Sequence, residues 1–154
     1  MAILAGEQRK KFQDQGFILL ENAIDTELLE GLQNDFNGWV KDSINHQQPY
    51  GEMLDGRPRF DLEPGHSKEQ PALRRVASPT EISTICLKVV CSSFATQAVA
   101  ELIGPDVRFH HSKFNSKIPG SGTVVKWHQD FTFDPCSNDD SITIIVFVDN
   151  VTAT

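Results

Sequence analysis

The sequence predicts an α+β fold in which helices come first and strands follow. Three observations carry this. Apolar residues recur at helical spacing over 25–43 and again over 78–103. Gly104-Pro105 closes the second stretch as a helix stop. Beyond it, residues 107–118, 123–128 and 142–149 are rich in Val, Ile, Thr and Phe, which suit a pleated, half-buried surface. A run of helices followed by a run of strands defines the α+β class.

Element by element, residues 6–15 read as a short amphipathic helix stopped by Gly16. Phe17-Ile18-Leu19-Leu20 follows as a buried strand. Asp25 is a good N-cap for a second helix, with Leu28, Leu29, Leu32, Phe36, Trp39 and Val40 on one side and an end near Ser43. Residues 45–72 hold Pro49, Gly51, Gly56, Pro58, Pro64, Gly65 and Pro71, a density of breakers that predicts a long irregular loop. Ser78-Pro79-Thr80-Glu81 is a capping box with proline at the first helical position. The helix it opens is expected to run to Ile103, with Leu87, Val90, Phe94, Ala98 and Leu102 packed. Ile142 to Val148 is apolar on both faces, as in a covered strand.

At 154 residues, with 39% hydrophobic and 23% charged residues, the chain suits a single globular domain. Its net charge of −7 and pI near 5.1 offer no footprint for phosphate backbones, so nucleic-acid partners are set aside. No run approaches the roughly 18 apolar residues that span a bilayer, and the N-terminus lacks the order of a secretory signal. A soluble, cytoplasmic protein is expected. Cys86, Cys91 and Cys136 form no CxxC pair and read as reduced thiols. No feature fixes the oligomeric state.

One strand carries an unusual face. Along 107–118 the odd positions are Val107, Phe109, His111, Lys113, Asn115 and Lys117. Side chains alternate along a strand, so His111, Lys113, Asn115 and Lys117 share one side. Such a row faces water or walls a polar cavity.

The chemistry concentrates at Trp127-His128-Gln129-Asp130. A His and an Asp two apart in an extended chain project to the same side. They can offer an imidazole nitrogen and a carboxylate oxygen to one metal ion. With a second histidine they complete a facial triad that leaves open positions on Fe(II). Alone the pair is a weak signal: five histidines and twelve aspartates in 154 residues give about 0.4 such pairs by chance. Its bland alternative is a histidine hydrogen-bonded to a nearby carboxylate. The flanking Trp127, Phe131 and Phe133 favour the metal, since aromatics shield a reactive centre from water.

Gly104-Pro105-Asp106-Val107-Arg108, His110-His111-Ser112-Lys113, Asn115, Lys117, Pro119-Gly120 and Trp127-His128-Gln129-Asp130-Phe131 resemble the core signature of the phytanoyl-CoA dioxygenase family. Phe12-Gln13-Asp14-Gln15-Gly16-Phe17-Ile18 is similar to that family's opening. The resemblance implies helices followed by a double-stranded β-helix, or jelly-roll. It divides the domain into a mainly helical 1–104, containing the loop 45–72, and a barrel front at 105–154. It implies an Fe(II)- and 2-oxoglutarate-dependent dioxygenase that uses O2 to hydroxylate a small organic or acyl substrate. By the same resemblance His128 and Asp130 are iron ligands and Lys117 helps hold 2-oxoglutarate. His111 and Asn115 face the cofactor cavity, and Trp127 and Phe131 wall it, although core packing serves Trp127 equally well.

The family pattern also implies a third ligand, a histidine well downstream, and then an arginine for the distal carboxylate of 2-oxoglutarate. The 24 residues after Asp130 contain neither His nor Arg. The expectation is therefore a partial oxygenase domain that is weak or inactive by itself. Two alternatives stay open: a short non-catalytic relative that serves as a binding module, and a site completed across a dimer.

Overall fold

The computed structural model describes residues 3–118, 124–132, 137–138 and 140–151. Helix α1 spans Gly6–Gln15 and ends at Gly16, whose φ of 78° supplies the left-handed stop. Its N-terminus is tied by the Gln8 side chain, which accepts from the Ala5 N–H at 2.8 Å. Helix α2 spans Thr26–Ser43, and the Asp25 carboxylate caps it by accepting from the Leu28 N–H at 2.8 Å. Both helices have the bounds the sequence predicts. The segment between them does not form the expected strand. Residues 17–20 are irregular, with Phe17 and Leu19 exposed, and no described strand pairs with them.

The largest correction concerns 45–72. The centre of this stretch is a hairpin: β1 (Tyr50–Leu54) and β2 (Arg57–Leu62) pair antiparallel, and β3 (Leu73–Ala77) follows just beyond the stretch. The breakers sit where a hairpin needs them. Asp55 and Gly56 both have positive φ, 48° and 76°, as a tight two-residue turn requires. Pro58 lies outside the β2–β3 pairing, which begins at Phe60, so its missing N–H leaves no gap in that ladder. A short strand β4 (Lys113–Asn115) pairs with β3, giving one antiparallel sheet of order β1-β2-β3-β4. Helices plus an antiparallel sheet make the chain α+β.

Helix formation over 78–103 also differs from expectation. Pro79–Glu81 is a single 3-10 turn, and Ser78 takes a left-handed conformation with no side-chain cap. Helix α3 (Thr84–Ser92) starts instead from Ser83, whose hydroxyl accepts from the Cys86 N–H at 2.9 Å and donates to Asp35. Helix α4 (Phe94–Ile103) is separate, capped by Ser93 accepting from the Thr96 N–H at 3.3 Å. The buried stripe of α4 is Ala95, Ala98 and Val99, while Leu87 and Phe94 are exposed. Together Thr84–Ile103 are long and apolar enough, by length and composition, to cross a membrane, a stretch the sequence reading overlooks. Cys86 is buried and free, and burial pushes its thiol up; Cys91 is exposed and free. Cys136 lies outside the described residues.

Two compact units result. In one (Glu30–Leu87 with His110–Lys126), Leu62, Leu73 and Val76 form the core under Phe36, Trp39 and Val40 of α2 and Tyr50, Phe60 and Phe114 of the sheet. His66 closes its C-terminal α2 corner. Its Nδ1 accepts from the Ala72 N–H at 2.8 Å, so the proton lies on Nε2, 3.0 and 3.1 Å from the Ser43 and His46 carbonyls. In the other unit (Met1–Leu29, Lys88–Phe109, Trp127–Thr154), Glu101 of α4 accepts from the Ile3 and Leu4 N–H groups and pairs with Arg9 at 3.4 Å. Those N–H donors lead Arg9 in holding the Glu101 carboxyl below the usual range.

Candidate metal site and sheet face

Side chains from His111 to Ile118 alternate between exposed and half-buried, as the odd–even pattern predicts. Phe114 turns inward against α2, while His111, Lys113, Asn115 and Lys117 lie on the exposed side. The strand itself is shorter than expected. Only Lys113–Asn115 pair with β3, although the Ser116 N–H still donates to the Arg74 carbonyl at 2.9 Å. His111 sits against His110, Nδ1 to Nδ1 at 2.7 Å, which fixes one ring as donor and its neighbour as acceptor.

His128 and Asp130 come together. Nε2 of His128 lies 3.2 Å from Oδ1 of Asp130, at the entry to a 3-10 turn formed by Asp130–Thr132. The other carboxylate oxygen, Oδ2, accepts from the Thr143 hydroxyl at 2.8 Å. Thr143 thus leaves Oδ1 on the histidine side. Sequence reasoning missed this residue, although a lone hydroxyl in the apolar run Ile142-Thr143-Ile144 is a readable signal. Both side chains stay open to solvent, 39% and 50% exposed, so a ligand can reach them.

Other expectations at this end are corrected. Residues 124–128 and 142–149 form no strand; Ile144, Ile145 and Phe147 are exposed. A strand needs a neighbour to take up its N–H and C=O groups, and no described segment pairs with either stretch. Trp127 is fully exposed and Phe131 about half so, and neither packs in the core of the described residues. Phe133, Pro119 and the 120–122 turn lie outside the described residues. Lys117, Asn115 and His111 belong to one compact unit, and Trp127, His128 and Asp130 to the other.

The donor chemistry of the pair suits a first-row transition ion. Two ligands about 2.1 Å from one ion and at right angles stand about 3 Å apart, and the observed separation is 3.2 Å. Among the described residues no group of three His, Cys, Asp or Glu side chains converges on one point. His66 is fully engaged in the fold by the bonds given above.

The sequence from residue 12 to 154 matches the family profile of phytanoyl-CoA dioxygenase. The chain belongs to the phytanoyl-CoA dioxygenase family. Two kinds of relatives are similar to the chain. A Stutzerimonas stutzeri protein described as a probable alpha-ketoglutarate-dependent hypophosphite dioxygenase is 27% identical over 143 residues, 93% of this chain and 47% of its own length. The ectoine dioxygenases of Bordetella parapertussis and Bordetella bronchiseptica are each 25% identical over 128 residues, 83% of this chain and 37% of theirs. The chain therefore spans about half the length, or less, of the curated relatives it matches. No solved structure matches at a significant level.

Proposed function

We propose that the protein is an Fe(II)- and 2-oxoglutarate-dependent dioxygenase that hydroxylates a small molecule. The observation that carries this reading is the His128–Asp130 pair, 3.2 Å apart with the carboxylate oriented by Thr143, in a chain of the phytanoyl-CoA dioxygenase family. The relatives named above support the co-substrate, and their names, hypophosphite and ectoine, support a small-molecule substrate.

On this reading His128 gives the iron an imidazole nitrogen and Asp130 gives it Oδ1. Bound iron supplies the coupling of O2 reduction and 2-oxoglutarate decarboxylation to hydroxylation of a C–H or equivalent bond. Thr143 keeps the carboxylate from rotating, since its hydroxyl holds Oδ2. Lys117 presents an ammonium group to a 2-oxoglutarate carboxylate, and Asn115, on the same side of the strand, adds a neutral donor. The resemblance would make the face that carries His111, Lys113, Asn115 and Lys117 an inner face of a jelly-roll strand.

The test is succinate formation from 2-oxoglutarate with Fe(II) and O2. Succinate formation by the wild-type protein is expected to be weak, since among the described residues no third metal-ligating side chain joins His128 and Asp130, and His128→Ala and Asp130→Ala are expected to form none. Lys117→Ala is expected to raise the KM for 2-oxoglutarate about tenfold or more, the size of one lost charge-assisted contact. Succinate formation that persists in His128→Ala contradicts the assignment.

A further inference from the structure

Arg74 and Arg75 are neighbours on β3, and strict alternation would send them to opposite faces. The register prevents that. Asp61 pairs with Arg75 while Leu62 pairs with Leu73, so β3 carries one extra residue, Arg74, at this point. Such a bulge re-aims side chains. Both guanidinium groups consequently converge on one carboxylate oxygen. Arg74 donates to Oδ2 of Asp61, and Nη2 of Arg75 lies 3.3 Å from the same atom.

This arrangement is under-satisfied. One carboxylate oxygen serves two cations, and Nε of both arginines is buried with no hydrogen-bond partner among the described residues. An unmade buried guanidinium bond is costly. The outer parts of the two side chains remain open, 35% and 23% exposed, so an incoming anion can reach them. Asn115 is the direct cross-strand partner of Arg75, with Lys113 and Lys117 on the same exposed side of their segment. This positive concentration occurs in a chain of net charge −7, so it is no reflection of overall composition. A planar guanidinium fork matches an oxyanion in shape as well as in charge.

We propose that Arg74, Arg75 and Asn115 form a docking site for an oxyanion. Resting on the oxygenase reading above, the group held there is the anionic head of the substrate. Asp61 keeps the two forks aligned in the free protein, and the ligand's oxygens meet the solvent-open part of each guanidinium rather than the buried Nε atoms.

The test uses inorganic phosphate as probe, titrated at constant ionic strength into metal-free protein while the Arg74, Arg75 and Asn115 side-chain N–H resonances are followed. Saturable shifts at these residues are expected, with affinity at least tenfold weaker in Arg75→Gln. Arg75→Lys keeps the ion pair with Asp61 and guards against loss of fold; it lacks the fork and is expected to bind phosphate more weakly than wild type. Shifts that do not saturate in the wild type, or affinity unchanged in both variants, overturn the site. Displacement of phosphate by 2-oxoglutarate overturns the substrate assignment. No iron is present, so loss of succinate formation with phosphate binding intact would point to the oxygenase reading as the failure.

Discussion

Phe114 of β4 stacks on Phe36 of α2, with ring centroids 4.8 Å apart and planes 10° from parallel. Trp39 meets the same ring edge-on at 6.0 Å. This contact decides which face of the 111–118 segment is inner, and hence sends His111, Asn115 and Lys117 outward. Phe114→Ala removes the ring and leaves a void beneath the sheet. The expected loss is about 3 kcal/mol of unfolding free energy, read from urea denaturation. A change under about 0.5 kcal/mol, the size of an ordinary surface substitution, contradicts the packing.

Arg59 is buried, with its side chain 3% exposed, and it ties three segments together. It donates to the Ala77 and Ser78 carbonyls at 3.1 and 2.9 Å and to Glu52 and Glu81, each at 2.6 Å. Burial pushes the guanidinium down, but the Glu81 and Glu52 carboxylates more than restore it, so it stays charged. Arg59→Ala is expected to cost about 3 kcal/mol, because charge-assisted bonds are lost and two carbonyls are left without a partner. Arg59→Lys is expected to recover only part of this, since an ammonium group cannot span four acceptors. Thermal unfolding of the two variants checks the order.

Glu101 sets a pH response at the N-terminus. Its carboxyl is held low, so the unfolded state binds its proton more readily than the folded state. Stability from this clamp is present above the ordinary glutamate value of about 4.3 and is lost as pH falls through the lower folded value. Amide exchange at Ile3 and Leu4 is expected to be slow near pH 6. Relative to intrinsic rates it is expected to accelerate in acid. Glu101→Gln is expected to abolish that difference, and persistence of the difference in the variant contradicts the clamp.

Local chemistry carried the parts of the fold that were readable. Asp25 and Gly16 mark helix ends because a side-chain acceptor and a left-handed turn are properties of single residues. The odd–even pattern of 111–118 survives because it needs only an extended backbone. The hairpin at 50–62 was also legible, in Asp55-Gly56 between Leu54 and Arg57, but the neighbouring prolines and glycines obscured it. Ser78-Pro79-Thr80-Glu81 misleads for a different reason: Glu81 is drawn to Arg59, a partner 22 residues away that no local pattern announces. The apolar run 142–148 had the composition of a strand, but strand formation depends on a neighbour rather than on the run itself. At the candidate site, the His128–Asp130 spacing was legible. Thr143 was visible as a lone hydroxyl in an apolar run, but no local pattern names Asp130, 13 residues away, as its partner.

Fe(II) binding by the wild-type protein and by His128→Ala, measured anaerobically by equilibrium titration, tests the central claim most directly. A saturable site in the wild type whose affinity falls at least tenfold in the variant, with the fold intact by circular dichroism, is the predicted result. Equal iron affinity in the two proteins would contradict the account and leave the 3.2 Å His128–Asp130 contact as a plain hydrogen-bonded pair.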